Sequence, residues 1–248
     1  MRHFLVGLAA LAIVGGLPAQ APGKFPPDSL VNVQVFPKET PVTQVIAAMR
    51  NFAGGLGVRC QFCHVGQEGM PLARFDFASD EKREKLVARQ MMRMVQEIDR
   101  RLDTIPERPT PAVEVSCATC HRGVSRPVPL NMLIADITLA AGADSATRAY
   151  RALRQRYFGR DAYDFSEFSL NSAALRVARA SKYDDAFALL RLNEDIFPAA
   201  SSPHLFRGNI HALRGDTAAA VASLREAIRR DSTNMEARGR LRDLGQRP

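Results

Sequence analysis

The chain of 248 residues contains no tryptophan, only four cysteines and only five histidines. Four cysteines in a chain of this length are too few for a disulfide scaffold, which is a device of short secreted domains. Outside residues 4–17 there is no apolar run long enough to cross a bilayer, for which about 20 residues are needed. A block of one charge is also missing. Thirty-four Lys and Arg against 26 Asp and Glu give a net charge of +8 and a pI near 9.8. The arginines are interleaved with acids in segments such as 88–90 and 225–230, which reads as solvated helix faces and not as a nucleic-acid footprint. A chain that is 46% hydrophobic and 24% charged is not wholesale disordered. Its length allows one large domain or two small ones.

What is present begins at the N-terminus. Arg2 and His3 precede the apolar run 4–17, and Pro18-Ala19-Gln20-Ala21 follow it. A basic start, a short apolar stretch and a small-residue exit form a secretory signal pattern. Residues 1–21 are therefore expected to be a signal peptide cleaved near Ala19 to Ala21, and the mature protein to be exported to the periplasm. An uncleaved anchor is the alternative. No cysteine stands near the exit to take a lipid.

Residues 22–40 form an expected extended arm. Pro22, Pro26, Pro27 and Pro37 punctuate it, and Val31-Asn-Val-Gln-Val35 alternates as a short strand or an extended segment would. Thr40 and Pro41 look like an N-cap and first helical position. Val42, Val45, Ile46, Met49 and Phe52 then recur at helical spacing until Gly54-Gly55-Leu56-Gly57. A second helix start is read at Ser79-Asp80-Glu81, acidic in its first turn as the helix dipole favours. Val87, Met91, Met94, Val95, Ile98 and Leu102 line one face, and Pro106, Pro109 and Pro111 break the pattern. Each helix leads to a Cys-x-x-Cys-His motif, so residues 41–130 read as a degenerate internal repeat.

Beyond Pro127 and Pro129 the chain lacks cysteine and becomes alanine-rich. Residues 131–166 are expected to be connecting helices. Residues 167–248 show self-similarity at a spacing of 34, with Ala178 matching Ala212, Ala186 matching Ala220, Ala188 matching Ala222 and Leu190 matching Leu224. That is the tetratricopeptide period. Gly208, Ala220 and Ala227 take the positions where paired helices cross closely, Pro198 ends a helix, and His204 and His211 stand where large aromatics are usual. Such a short array leans on its neighbours for stability.

The chemistry lies in Cys60-Gln-Phe-Cys63-His64 and Cys117-Ala-Thr-Cys120-His121. Two cysteines three apart on a helical turn can form thioethers to the two vinyl groups of one haem, and the adjacent histidine is then held where its imidazole ligates the iron. A four-thiolate zinc site is a competing reading, but the pairs are separated by 53 residues, against roughly 15–20 in a zinc ribbon. A thiol redox motif needs a βαβ pattern, and none is visible. Two structural disulfides remain open to an exported protein. Two motifs with an export pattern favour two covalently attached haem c groups, with His64 and His121 as proximal ligands.

For the distal ligands, His3, His204 and His211 are the only other histidines, so bis-histidine ligation is not the general solution. A histidine–methionine iron is raised in potential and suited to electron transfer. Met49 precedes the first motif, and Met91, Met92 and Met94 precede the second. Met49 and either Met91 or Met94 are candidates by pattern. The competing reading is that they are core filler, a common use of methionine on an apolar face.

The segments Val42-Thr-Gln-Val-Ile-Ala-Ala-Met49, Cys60-Gln-Phe-Cys-His64, Ala88-Arg-Gln-Met91-Met-Arg-Met94 and Cys117-Ala-Thr-Cys-His-Arg-Gly123 resemble the cytochrome c subunit of photosynthetic reaction centres over about residues 30–130. The resemblance implies an all-α fold of helix–turn–helix haem-binding units. Each unit has a helix with the axial methionine, a turn, and Cys-x-x-Cys-His on a second helix. The family's first methionine of its Arg-Met-x-x-Met run falls on Met91, which favours Met91 over Met94; Met49 is the upstream candidate for the first unit. The family's photosynthetic members hold four haems, and this chain has two motifs, so its role extends to photosynthetic or respiratory electron transport. Residues 150–245 resemble tetratricopeptide modules of exported bacterial proteins, which implies protein contact.

The expected function is an electron carrier, not an enzyme, with no catalytic residues. Its expected partners are redox proteins, with docking through the repeats and association with a membrane electron-transfer complex at the outer face of the inner membrane, and no nucleic acid. The rival readings are a dihaem peroxidase, which needs one open iron site, and a repeat scaffold with accessory haems.

Overall fold

A computed structural model describes residues 23–247. The expected signal peptide, residues 1–21, lies outside the described residues. Among those described the chain is all-helical, as expected, with no strand: α1 (Val42–Leu56), α2 (Arg83–Leu102), α3 (Cys117–His121), α4 (Leu130–Tyr157), α5 (Glu167–Arg179), α6 (Tyr183–Ile196), α7 (Ser202–Leu213), α8 (Thr217–Arg230) and α9 (Met235–Asp243). These residues fall into two units. One comprises 23–53 and 59–114, the other 54–58 and 115–247.

In the first unit, the alternating segment 31–35 is not a strand. Asn32 takes a left-handed backbone, φ 61°, which breaks the extended run. α1 starts where the Thr40-Pro41 pattern places it, with the Pro41 carbonyl accepting from the Val45 N–H at 3.1 Å. α2 starts at Arg83, after the expected Ser79-Asp80-Glu81. The cause is local. The Asp80 carboxylate is drawn away from a capping role by Lys85 Nζ at 3.0 Å and Arg89 Nη1 at 2.9 Å, and it also accepts from Asn32 Nδ2 at 2.8 Å.

α2 is inverted relative to a packed amphipathic helix. Lys85 and Arg89 are each 8% exposed, whereas Met91 is 42% and Met94 48% exposed, and Leu86 and Val87 are exposed with them. The reading of segment 88–90 as a solvated face is thereby corrected at Arg89, whose charge is satisfied internally and so tolerates burial. Among the described residues before Leu130, the buried apolar side chains are Val45 and Val124.

The second unit packs conventionally. α4, α5, α6 and α7 enclose a core that includes Leu130, Ile134, Tyr150, Leu170, Val177, Leu189, Leu190 and Ile210. A smaller cluster of Leu205, Leu224, Ala227, Ala237 and Leu241 joins α7, α8 and α9. Each fully buried leucine contributes about 1.5–3 kcal/mol relative to exposure. α7 and α8 approach so closely at Gly208 that a Cβ there would lie 2.7 Å from Leu224 Cγ. Inside the core, Asn193 Nδ2 donates to Asn171 Oδ1 and Asn171 Nδ2 to Ser202 Oγ, both at 2.8 Å. These bonds pin α5, α6 and α7 in register. α4 breaks at Gly142, where Asp185 Oδ1 accepts from the Ala143 N–H at 2.9 Å and caps the second half.

Candidate functional site

The first motif lies on a single turn of 3-10 helix, Cys60–Phe62. The Cys60 carbonyl accepts from the Cys63 N–H at 3.3 Å and the His64 N–H at 3.0 Å, so both sulfurs and the imidazole issue from one turn. The thiols are not joined to each other. Burial, then the Glu84 carboxylate, pushes the Cys63 thiol up from its ordinary value.

The His64 ring meets the Phe77 ring edge-on at 5.0 Å. Its Nδ1 is buried without a well-formed hydrogen bond, although the Phe77 carbonyl lies close enough to favour its protonated form. Burial dominates, with the Lys85 charge adding to it, and the ring is pushed down to about 4. At neutral pH it is therefore uncharged, the form that ligates a metal.

Phe77 belongs to a strap, residues 75–80, that is tied down at both ends. The Asp76 N–H donates to the Val65 carbonyl at 2.9 Å, and Asp76 Oδ1 accepts from the Ala78 and Ser79 N–H groups. Lys85 Nζ then donates to the carbonyls of Phe77 and Ala78 at 3.0 Å and of Ser79 at 2.7 Å.

The second motif forms α3. Thr119, between the two cysteines, accepts from the Ser116 N–H through Oγ1 at 3.0 Å and closes the first turn. Arg122 ends α3 in the left-handed region, φ 49°. The chain then doubles back, so that His121 Nδ1 lies 2.9 Å from the Val124 carbonyl. A carbonyl only accepts, so Nδ1 carries the proton and Nε2 the lone pair. Burial raises the Cys117 thiol.

The Gly54–Gly57 turn that ends α1 packs backbone to backbone on this motif. The Gly123 N–H donates to the Gly55 carbonyl at 2.8 Å. A Cβ on Gly55 would lie 3.0 Å from Ala118 N, and one on Gly57, where φ is 66°, would lie 2.0 Å from Gly123 O. Only glycine fits at Gly57 on both counts.

Met49 is half-buried on α1; Met91 and Met94 are exposed and Met92 half-buried on α2. Among the described residues no group of three or more His, Cys, Asp or Glu side chains could hold a metal ion. The donor set fits haem c instead. It offers paired free thiols on one helical turn, a neutral His64, a His121 tautomer with Nε2 available, and bare apolar side chains on α2. Sequence reasoning missed Asn32, Phe77, Asp80, Lys85, Arg89, Gly57 and Val124 as parts of the site. The i, i+4 spacing of Lys85 and Arg89 was the available signal.

Among the described residues no helix is long and apolar enough to cross a membrane. A family model, photosynthetic reaction centre cytochrome C subunit, matches residues 18–183. It extends beyond the 30–130 resemblance through α4 and α5. No curated protein and no solved structure is significantly similar to the chain. The family implies covalently bound haem c and transfer of electrons between redox partners in place of enzymatic turnover. With two thirds of its length matched after two Cys-x-x-Cys-His turns of fitting geometry, the chain belongs to the photosynthetic reaction centre cytochrome C subunit family.

Proposed function

We propose that the chain is an exported, periplasmic dihaem c-type cytochrome that passes electrons between protein partners. Cys60 and Cys63 would tether the first haem, with His64 and Met49 holding its iron. Cys117 and Cys120 tether the second, with His121 and Met91. The observation that carries this reading is the inverted α2. A segment of about a hundred residues that buries little more than Val45 and Val124 has no apolar core of its own, and unburied apolar surface does not hold a fold together. Bound haem would supply that core, and Leu86, Val87 and Met91 offer it exposed apolar surface.

Bound haem supplies reversible one-electron exchange at its iron. The chain does the rest. Two thioether sulfurs would hold each ring while the fold around it is small. The Val124 carbonyl fixes the His121 tautomer and ring plane, and the strap at Phe77 seats His64. A methionine sulfur on the iron would favour the reduced state and raise the potential. The helices of residues 167–248, read as tetratricopeptide-like, dock a redox partner, and the family match supports association with a membrane electron-transfer complex. The two-motif count, against four haems in photosynthetic members, admits a respiratory role.

A redox titration followed by absorbance tests this on the whole protein and its Met49→Ala and Met91→Ala variants. Two one-electron waves and a low-spin spectrum are expected, with one wave shifted in each variant. An unchanged spectrum in either variant refutes that ligand, and a high-spin ferric component with peroxide turnover would favour the peroxidase reading.

A further inference from the structure

Two buried cations in the first unit share one carboxylate. Lys85 and Arg89 are each 8% exposed, and both contact Asp80 Oδ1, at 3.0 and 2.9 Å. Arg89 also donates to the Asn32 carbonyl at 3.1 Å, and Asn32 Nδ2 to the Ala78 carbonyl at 2.6 Å. Burying an ammonium without full compensation is costly. Lys85 has four oxygen contacts, three of them to consecutive carbonyls of the strap at Phe77, Ala78 and Ser79. One of those three residues, Phe77, carries the ring packed against His64. Lys85 thus performs two tasks with one side chain: it fixes the strap, and it sets an ammonium charge next to the residue that packs on the imidazole.

We propose that Lys85 is the positioning residue of the first haem: it clamps the 75–80 strap so that Phe77 holds the His64 ring, and its ammonium charge raises the reduction potential of the first iron. The inference rests on the dihaem reading above. The physical reason is that the ferric state carries one more positive charge than the ferrous, so a nearby cation in a poorly screened place disfavours oxidation. The outer partners of a ligating histidine also set its orientation and basicity. Asp76, Lys82 and Glu84 also border the motif, but Lys85 is the group that joins charge to strap.

The test uses the full-length protein with both haems loaded. Lys85→Met removes the charge and the clamp, Lys85→Arg keeps the charge, and Asp80→Asn removes the opposing charge from a half-exposed position. Midpoint potentials and the ferric electron paramagnetic resonance spectrum are read for each. Lys85→Met is expected to lower one midpoint only and to shift the largest g-value of the same haem. Lys85→Arg restores most of the potential, and Asp80→Asn moves the same midpoint upward. Unmoved midpoints and g-values in Lys85→Met, or a downward shift in Asp80→Asn, would overturn the role of Lys85. If Lys85→Met does not load its first haem, the sign of the Asp80→Asn shift decides. A wild-type protein carrying fewer than two haems would overturn the dihaem reading itself and the inference with it, whereas two haems with unmoved potentials overturn the inference alone.

Discussion

His121 donates its Nδ1 proton to the Val124 carbonyl three residues on, at 2.9 Å. The left-handed residue Arg122 makes that return possible. The bond leaves Nε2 as the one ring nitrogen with a lone pair, aimed by a backbone atom that cannot rotate away. In His121→Ala the thioethers of Cys117 and Cys120 are expected to retain the second haem while its iron loses an axial ligand. Absorbance should show one high-spin and one low-spin haem. Two low-spin haems in this variant would remove His121 from the ligand set.

Met91 and Met94 are both exposed on α2, and the family pattern selects Met91. Met91→Ala is expected to lower one midpoint potential, because methionine ligation raises it. Met94→Ala should leave both midpoints in place. Spectroelectrochemistry of the two variants separates ligand from filler, and the reverse pattern would assign Met94.

Gly57 is the tightest backbone contact of the second motif. Gly57→Ala introduces a Cβ 2.0 Å from Gly123 O, and the left-handed backbone alone adds roughly 1–2 kcal/mol of strain. Thermal unfolding at a lower temperature and poorer occupancy of the Cys117/Cys120 site are expected. Gly54→Ala, where a Cβ meets nothing within 4 Å, is the matched control and should be close to silent.

The second unit should weaken in mild acid. Burial holds His204 and His211 below the ordinary histidine value of 6.5. His204 faces Glu194, Glu226, Arg207 and Arg230, and His211 faces Asp216, Arg207 and Arg214. Below that value the unfolded chain takes up protons that the folded chain refuses, so stability is full above it and falls as pH drops. Urea midpoints at neutral pH and at about pH 5.5 should differ, and the His204→Gln/His211→Gln variant should narrow the difference. An equal loss in that variant would place the acid sensitivity elsewhere.

What the sequence makes legible is what is encoded locally. The two Cys-x-x-Cys-His turns, the end of α1 at the Gly54–Gly57 turn, and the helical nature of residues 130–243 follow from spacing, breakers and periodicity within a few turns. The inverted face of α2 does not. Periodicity marks Val87, Met91 and Met94 as one apolar face, but it assumes that such a face meets protein. The buried residues of α2 are instead Lys85 and Arg89, because Asp80 and the carbonyls of the strap satisfy them across a turn that no short motif announces. The contact of Gly55 and Gly57 with Ala118 and Gly123 joins residues more than sixty positions apart, and only tertiary structure reveals why that stretch is glycine-rich.

The intact mass of the exported chain tests the central claim most directly. The account predicts a chain beginning after residues 19–21 and carrying two haem increments. It predicts one increment in the Cys60→Ala/Cys63→Ala variant and one in the Cys117→Ala/Cys120→Ala variant. A chain without haem, lighter by two hydrogens for each cysteine pair, would show disulfides in place of thioethers and contradict it.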